Sequence, residues 1–356
     1  MSRFLQLHIL VDYPPSNPNR DDLGRPKSAI IGGAPRQRMS SQALKRAIRT
    51  SPAFAEALAG NLGQRTQRMG EEIMAHLAAK GASEADAVRI AKEVAAVFGK
   101  LEDKKNADLA RIKQLAFVSP EERARALELA EGALAGKALP KDKELAKEVL
   151  VTADTAVDVA MFGRMLADNP DYNREAAVQV SHAFTTNRVR IEDDYYTAVD
   201  DLKKPSEDMG AGFVGEAGFG SGVYYVYVCV NRKLLVDNLK GDKALAARGL
   251  EALARAVATS TPSGKINAHA NRVLASFMLA ELGDRQNRML SSAFTRPIEG
   301  ADLMVASVAS LKRQRAAFDR VYGKGWSEDR TLDISDENSA TLDEIAAFCA
   351  SGLEAL

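Results

Sequence analysis

Residues 4–11 (FLQLHILV) alternate between apolar and polar positions. Leu5, Leu7, Ile9 and Val11 share one face while Gln6 and His8 take the other, which predicts a half-buried strand. The stretch from Pro14 to Gly33 is rich in Pro, Asn, Asp and Gly and reads as a long loop, of the kind that carries function on compact domains. A helix is predicted to begin at Ser40 or Ser41, either of which can cap the free N–H groups of a first turn. Leu44, Ala47 and Ile48 form its apolar stripe. Lys45 and Arg49 stand four apart on a different face, with Gln42 three residues before Lys45. The helix should bury one side and hold cations out from another.

From 51 to 150 the pattern changes. This span holds 23 alanines and neither Tyr nor Trp. Helix-start signals recur at Ser83-Glu-Ala-Asp86 and at Ser119-Pro120-Glu121-Glu122, where Pro sits at the first helical position and acids fill the first turn. Residues 60–150 therefore read as a helical insertion. Beyond it, Ala176–Phe184 alternates with Val178, Val180, His182 and Phe184 on one side, and Val223–Val230 (VYYVYVCV) reads as a buried strand. The segment 185–222 between them has no core character, and six glycines fall in the thirteen residues from Gly210 to Gly222. An amphipathic helix over 244–259, a strand over Val273–Leu279, and a capping box at Thr341-Leu-Asp-Glu344 opening a last helix to about 353 complete the pattern. The order predicts an α+β protein with an antiparallel sheet packed on helices, most simply a ferredoxin-like (RRM-like) βαββαβ core carrying insertions.

Composition adds a local asymmetry. The chain of 356 residues has 48 Lys/Arg and 48 Asp/Glu, so it is neutral overall. Residues 1–50, however, hold nine basic and three acidic side chains, a local +6 suited to an anion site. Cys229 and Cys349 lie far apart in apolar stretches without metal-ligand spacing and read as buried thiols of a cytosolic protein. The N-terminal apolar run is too short to span a membrane and lacks a cleavage site, so a cytoplasmic location is expected.

Several motifs fail on context. Gly210-Ala-Gly212-Phe-Val-Gly215 has the spacing of a dinucleotide fingerprint but follows a polar loop rather than a strand. The serine of Gly218-Phe-Gly220-Ser221-Gly222 is not centred as in a nucleophile elbow. His8, His76, His182 and His269 are scattered and read as core or surface histidines. Asp21-Asp22 is the one pair with chemical potential: adjacent loop carboxylates can hold a divalent cation, although loop capping is the commoner role.

The strings Asn19-Arg20-Asp21-Asp22, Lys27, Ile30, Gly32-Gly33, Arg36, Arg38, Ser40-Ser41-Gln42 and Leu44-Lys45-Arg46-Ala47 resemble the CasC backbone subunits of type I-E CRISPR Cascade complexes. The likeness continues in family order through Gly163-Arg164-Met165, Ser181–Thr186, Asp194–Asp201 and Ser221–Tyr225. It implies an RRM-like palm (1–59 and 151–356), helical fingers (60–150) and a β-hairpin thumb (190–222). Copies would stack along a guide RNA (crRNA) beside other Cascade subunits. Each thumb would displace a base at intervals, leaving the remainder to pair with target DNA. Destruction of the target would fall to a recruited nuclease–helicase.

The resemblance implies no catalytic residue, cofactor, metal or membrane partner in this chain. Its RNA-holding positions correspond to Asn19, Arg20, Lys27, Gly32, Gly33, Arg36, Arg38, Ser40, Gln42, Lys45, Arg46 and Arg49. Charge and backbone contacts of this kind suit a protein that must accept any guide sequence. The base-displacing positions correspond to Met165, Tyr195, Tyr196, Thr197 and Val214, with Tyr195-Tyr196 standing where the compared family member has Trp-Phe and Val214 where it has Leu. The alternative is a metal-dependent ribonuclease acting through Asp21/Asp22. Residues 264–272 (GKINAHANR), through Lys265 and Arg272, form a further candidate RNA-facing loop.

Overall fold

A computed structural model of the chain describes residues 2–102, 109–198, 201 and 213–355. Its strands, in chain order, are β1 (Phe4–Ser16), β2 (Ser28–Ile31), β3 (Ala34–Met39), β4 (Gln64–Thr66), β5 (Ala116–Val118), β6 (Val178–Val180), β7 (Ala183–Thr185), β8 (Glu192–Ala198), β9 (Phe213–Asn231), β10 (Phe277–Gly283) and β11 (Glu328–Asp333). Its α-helices are α1 (Ser41–Arg49), α2 (Pro52–Ala57), α3 (Met69–Ala79), α4 (Glu84–Ala95), α5 (Pro120–Leu134), α6 (Asp142–Val149), α7 (Val157–Phe162), α8 (Arg232–Asn238), α9 (Lys243–Thr259), α10 (Ile266–His269), α11 (Leu303–Tyr322) and α12 (Leu342–Ala350). The chain divides into two compact units. One comprises Met1–Phe54, Val180–Cys229 and Glu251–Ser351; the other comprises Ala55–Gln179, Val230–Leu250 and Gly352–Leu356.

The first unit is built on a sheet of order β11-β10-β1-β9-β7-β3-β2, with β6 and β8 also pairing to β9. β1 and β10 run antiparallel from Phe4 opposite Gly283 to Leu10 opposite Phe277. Further antiparallel pairings join β10 to β11 and β7 to both β3 and β9. On one face, Leu44 and Ile48 of α1 and Val257 of α9 close over Val11, Tyr13, Met39, Tyr224 and Val226. On the other, Tyr225, Tyr227, Phe277 and Leu279 pack with Leu290, Phe294 and the α11 residues Val308 and Leu311. Cover on both faces is the reason β1 is buried at every position from Leu5 to Val11, where alternation predicted a half-buried strand.

Its polar side is therefore a buried network. Gln6 Oε1 accepts from Tyr227 Oη (2.9 Å) and from the Arg288 amide (2.7 Å). Tyr225 Oη accepts from the Leu290 amide (3.1 Å) and meets His8 Nδ1 at 2.9 Å. The acceptor-only carboxylate of Glu281 faces the other ring nitrogen, so Nδ1 is the one left to accept from Tyr225. The His8 proton then lies on Nε2, 3.4 Å from Glu281 Oε2. Burial lowers the His8 pKa, so the ring is neutral. Burial works to raise the Glu281 carboxyl, yet hydrogen bonds from His8 and Arg288 and the charge of Arg288 outweigh it and bring it to about 2.

The region 14–33 is more ordered than a loop. β1 continues to Ser16, and β2 and β3 form a hairpin turned by Gly32 and Gly33, both at positive φ (58° and 76°) as a two-residue type I′ turn demands. The strand expected at 273–279 begins four residues later, and α11, left unassigned by the hydrophobic pattern, supplies the second cover of the sheet.

The second unit is mainly helical. Ser83 caps α4 through the Asp86 amide, and Ser119 with Glu122 forms the expected capping box on α5. Small buried residues, among them Ala87, Ala91, Ala126 and Ala130, let its helices approach closely. This unit is larger than the expected 60–150 insertion, since 151–179 and 230–250 belong to it. For 151–179 the physical reason is a pair of buried cations. Arg164 reaches Glu122 at 2.5 Å and also the Phe117 and Tyr172 carbonyls, and Arg174 reaches Asp154 at 2.8 Å. Both cysteines are buried, and neither forms a disulfide among the described residues. Among the described residues, no helix is long and apolar enough to cross a membrane.

Candidate nucleic-acid interface

The sequence-singled cations of residues 19–49 gather around α1 and the β2–β3 hairpin, but in different roles. Ser40 caps α1, its Oγ accepting from the Ala43 amide at 3.3 Å. Asn19 fastens the preceding loop to that cap: its Oδ1 accepts from the Ser40 amide (2.8 Å) and its carbonyl from the Lys27 amide (2.9 Å). The side-chain oxygens of both residues are thus used inside the protein to shape the site. Gln42 and Arg46, four apart, are exposed on α1. Lys45 and Arg49, expected to point outward, are half-buried, and each engages a neighbour.

Arg36 corrects the sequence reading most sharply. It is wholly buried, and its guanidinium donates to the Thr185 and Thr186 carbonyls (2.7 Å each), to Phe294 (2.9 Å) and to Thr295 (3.3 Å). A cation held by four carbonyls ties β3 to the strand end at 185 and to the segment at 294; it is not presented to a phosphate. Gly32 is likewise structural, because a Cβ there would stand 1.8 Å from the Thr295 carbonyl oxygen. Gly33 faces open space, so its backbone is the one free for close approach by a ligand. Arg38 is half-exposed beside Lys27 and donates to the Ser28 carbonyl and to His182 Nδ1, both at 3.1 Å.

Asp21 acts as a loop cap. Its Oδ1 accepts from the Leu23 and Arg25 amides at 3.0 and 2.9 Å, and Arg25 in turn reaches Asp193 at the start of β8 at 2.8 Å. Among the described residues no group of three or more His, Cys, Asp or Glu is arranged to hold a metal ion.

The part of the 190–222 hairpin within the described residues is a ribbon of β8 and β9, paired from Glu192 opposite Phe219 to Ala198 opposite Phe213. Gly210 and Gly212 lie outside the described residues, whereas the other four glycines of the stretch, Gly215, Gly218, Gly220 and Gly222, lie within β9. Gly215 lies in β9 opposite Tyr196, a strand rather than a nucleotide loop. Pairing of Tyr195 with Glu216 and Thr197 with Val214 puts Tyr195, Thr197 and Val214 on one face and Tyr196 on the other. Tyr195 and Val214 are exposed, at 68% and 53%. Met165, in the second unit, is 79% exposed and follows the anchored Arg164, so it projects from a fixed backbone.

One feature carried only a faint sequence signal. A groove of about 980 Å³ runs beside α1, lined by Arg20 and Arg46 and, from a distant part of the chain, by Thr259–Gly264 and Arg272. The cluster of Ser, Thr, Pro and Gly at 259–264 marks a loop, but nothing in the sequence places it against residue 20.

Comparison with solved structures gives two near-full-length likenesses. A chain of a structure titled "CRISPR RNA-guided surveillance complex, pre-nicking" is 28% identical, with a TM-score of 0.85 over 98% of this chain and 99% of that one. A chain of a "CRISPR RNA-guided surveillance complex" is 24% identical, with a TM-score of 0.74 over 99% of this chain and 100% of that one, a likeness of fold. No curated protein sequence matches. The model of a family described as "CT1975-like protein" matches residues 5–353, nearly the whole chain, and the protein therefore belongs to the CT1975-like protein family.

Proposed function

We propose that this chain is a crRNA-binding backbone subunit of a Cascade-type CRISPR surveillance complex, copies of which line up along the guide. The near-full-length likeness, at a TM-score of 0.85, to a chain of an RNA-guided surveillance complex carries this reading. The geometry is suited to it. Arg20, Lys27, Arg38, Gln42 and Arg46 offer charge and donors to phosphates and sugars.

The palm is of the ferredoxin-like kind. Strands β1, β7, β9 and β10, taken as first to fourth, stand in the order 4-1-3-2, with α1 following the first and α9 the third. α11 fills the sheet face on which such folds commonly stack bases, so RNA is held at α1 and the hairpin instead. The second unit serves as fingers and the β8–β9 ribbon as a thumb. Tyr195, Thr197 and Val214 on one face, Tyr196 on the other, and Met165 act as apolar wedges between bases. The chain itself performs no chemistry and works in the cytoplasm. Guide bases left stacked pair with target DNA, which a recruited nuclease–helicase destroys.

Sequencing of the RNA that co-purifies with tagged protein, expressed beside its CRISPR array and partner subunits, tests this. Guide-length RNA with repeat-derived ends is expected. Protein that emerges RNA-free with all other subunits present overturns it. The ribonuclease alternative has less support, because the Asp21 carboxylate already caps its own loop.

A further inference from the structure

The groove beside α1 has a second wall that the RNA-binding residues of α1 do not account for. Three exposed guanidiniums, Arg20, Arg46 and Arg272, line it together. Among the described residues none of the three has an ion-pair partner. Sequence separation is no guide here, since more than 220 positions lie between Arg46 and Arg272. Thr259, Thr261 and Ser263 add hydroxyls along the same wall. Asp21 and Asp22 line the groove too; Asp21 Oδ1 is turned to its own loop amides, and the three guanidiniums outnumber the two carboxylates.

The wall is held in place at some conformational cost. Gly264 packs so closely on the loop before Asn19 that a Cβ would stand 2.3 Å from the Pro18 carbonyl oxygen. The one-turn helix α10 is flanked by Lys265 and Ala270, both non-glycine residues in the left-handed region with φ of 50°. Such backbone is unfavourable for a residue with a Cβ and persists only where its surroundings enforce it. Asn271, wholly buried, donates to the Gly264 carbonyl at 3.4 Å and leaves its Oδ1 without a partner. The effect is to pin the backbone at 264 and 271 against residue 18 and hold Arg272 at the rim facing Arg20 and Arg46.

We propose that Thr259–Arg272 forms the second wall of a phosphate-binding groove for single-stranded RNA, with Arg272 as a backbone-binding residue opposite Arg20 and Arg46. The inference rests on the RNA-binding reading above and adds a site to it. Three guanidiniums around one open channel suit consecutive phosphodiesters, and hydroxyls suit ribose and phosphate oxygens. Contacts of guanidiniums and hydroxyls to phosphate and ribose carry no base information, so binding at this wall is independent of sequence.

The test is the salt dependence of binding by the purified full-length chain, using a labelled oligouridine and an unrelated mixed-sequence RNA of equal length. Arg272→Gln should weaken binding to both by about tenfold, the loss expected for one charge-assisted contact. It should also lower the slope of log K against log salt by about 0.7. Arg272→Lys should recover the slope. Gly264→Ala should reproduce the weakening without a change of charge, provided its thermal melt matches wild type; the Arg272 pair stands even where this variant is unstable. Wild-type binding that responds to Arg46→Gln but not to Arg272→Gln overturns the second wall and leaves the RNA reading intact. A wild-type chain that binds neither RNA overturns both.

Discussion

The ring of Tyr196 lies over Gly215, its cross-strand partner in the β8–β9 ribbon, so closely that a Cβ at 215 would stand 2.4 Å from the ring. An aromatic side chain covering a strand glycine stabilises a two-stranded ribbon that little else supports. Gly215→Ala should unseat the ring and act like Tyr196→Ala. Both should shorten the RNA protected from nuclease by the assembled complex, and neither should move the Tm of the isolated chain by more than about 3 °C. Full-length protection with either variant would show that the ribbon does not depend on this contact.

Arg36 and Arg46 should separate stability from binding. Arg36→Ala orphans four carbonyls in the first unit and should cost on the order of 4 kcal/mol, lowering Tm by roughly 10 °C. Arg46→Gln, at an exposed position, should leave Tm within about 1 °C while weakening RNA binding. Thermal melts and RNA titrations on the two variants make the comparison. An unchanged Tm for Arg36→Ala would remove its assigned structural role.

Glu281 makes stability depend on acid. Its carboxyl is brought to about 2 when folded, below the ordinary value of 4.5, so its contribution is fully present above about pH 4.5. The contribution falls away as pH drops from there toward 2. In urea unfolding, Glu281→Gln should be less stable than wild type at pH 7, because Arg288 and Arg315 lose their shared partner. The gap should narrow between pH 4.5 and 3. A gap that stays constant over that interval would contradict the depressed pKa.

Asp21 distinguishes a loop cap from a metal ligand. Asp21→Asn keeps an oxygen for the Leu23 and Arg25 amides and should bind RNA at least as well as wild type, whereas Asp21→Ala should bind less tightly. With magnesium and target RNA, no cleavage is expected from wild type. Cleavage by wild type that Asp21→Asn abolishes would establish the ribonuclease alternative.

Features encoded within a few residues of one another were legible along the chain. The Ser40 and Thr341 caps, the Ser119 capping box, the Val223–Val230 strand and the alanine-rich helices follow from side-chain periodicity and local hydrogen bonding, and they stand where the pattern predicted them. The basic character of residues 1–50 was legible for the same reason, because charge is carried by residue type alone. Which of those charges are available depends on long-range packing. Arg36 and Arg46 look alike along the chain, yet one is enclosed by carbonyls from residues about 150 and 260 positions away and the other meets solvent. The polar face of β1 was read as solvated because alternation reports polarity and not cover; α11, nearly 300 residues later, supplies that cover and turns Gln6 and His8 into a buried network. Gly264 meets Pro18, and Arg272 lines one groove with Arg20 and Arg46, only in the folded chain, because contacts made across the chain leave no periodicity for a sequence to display.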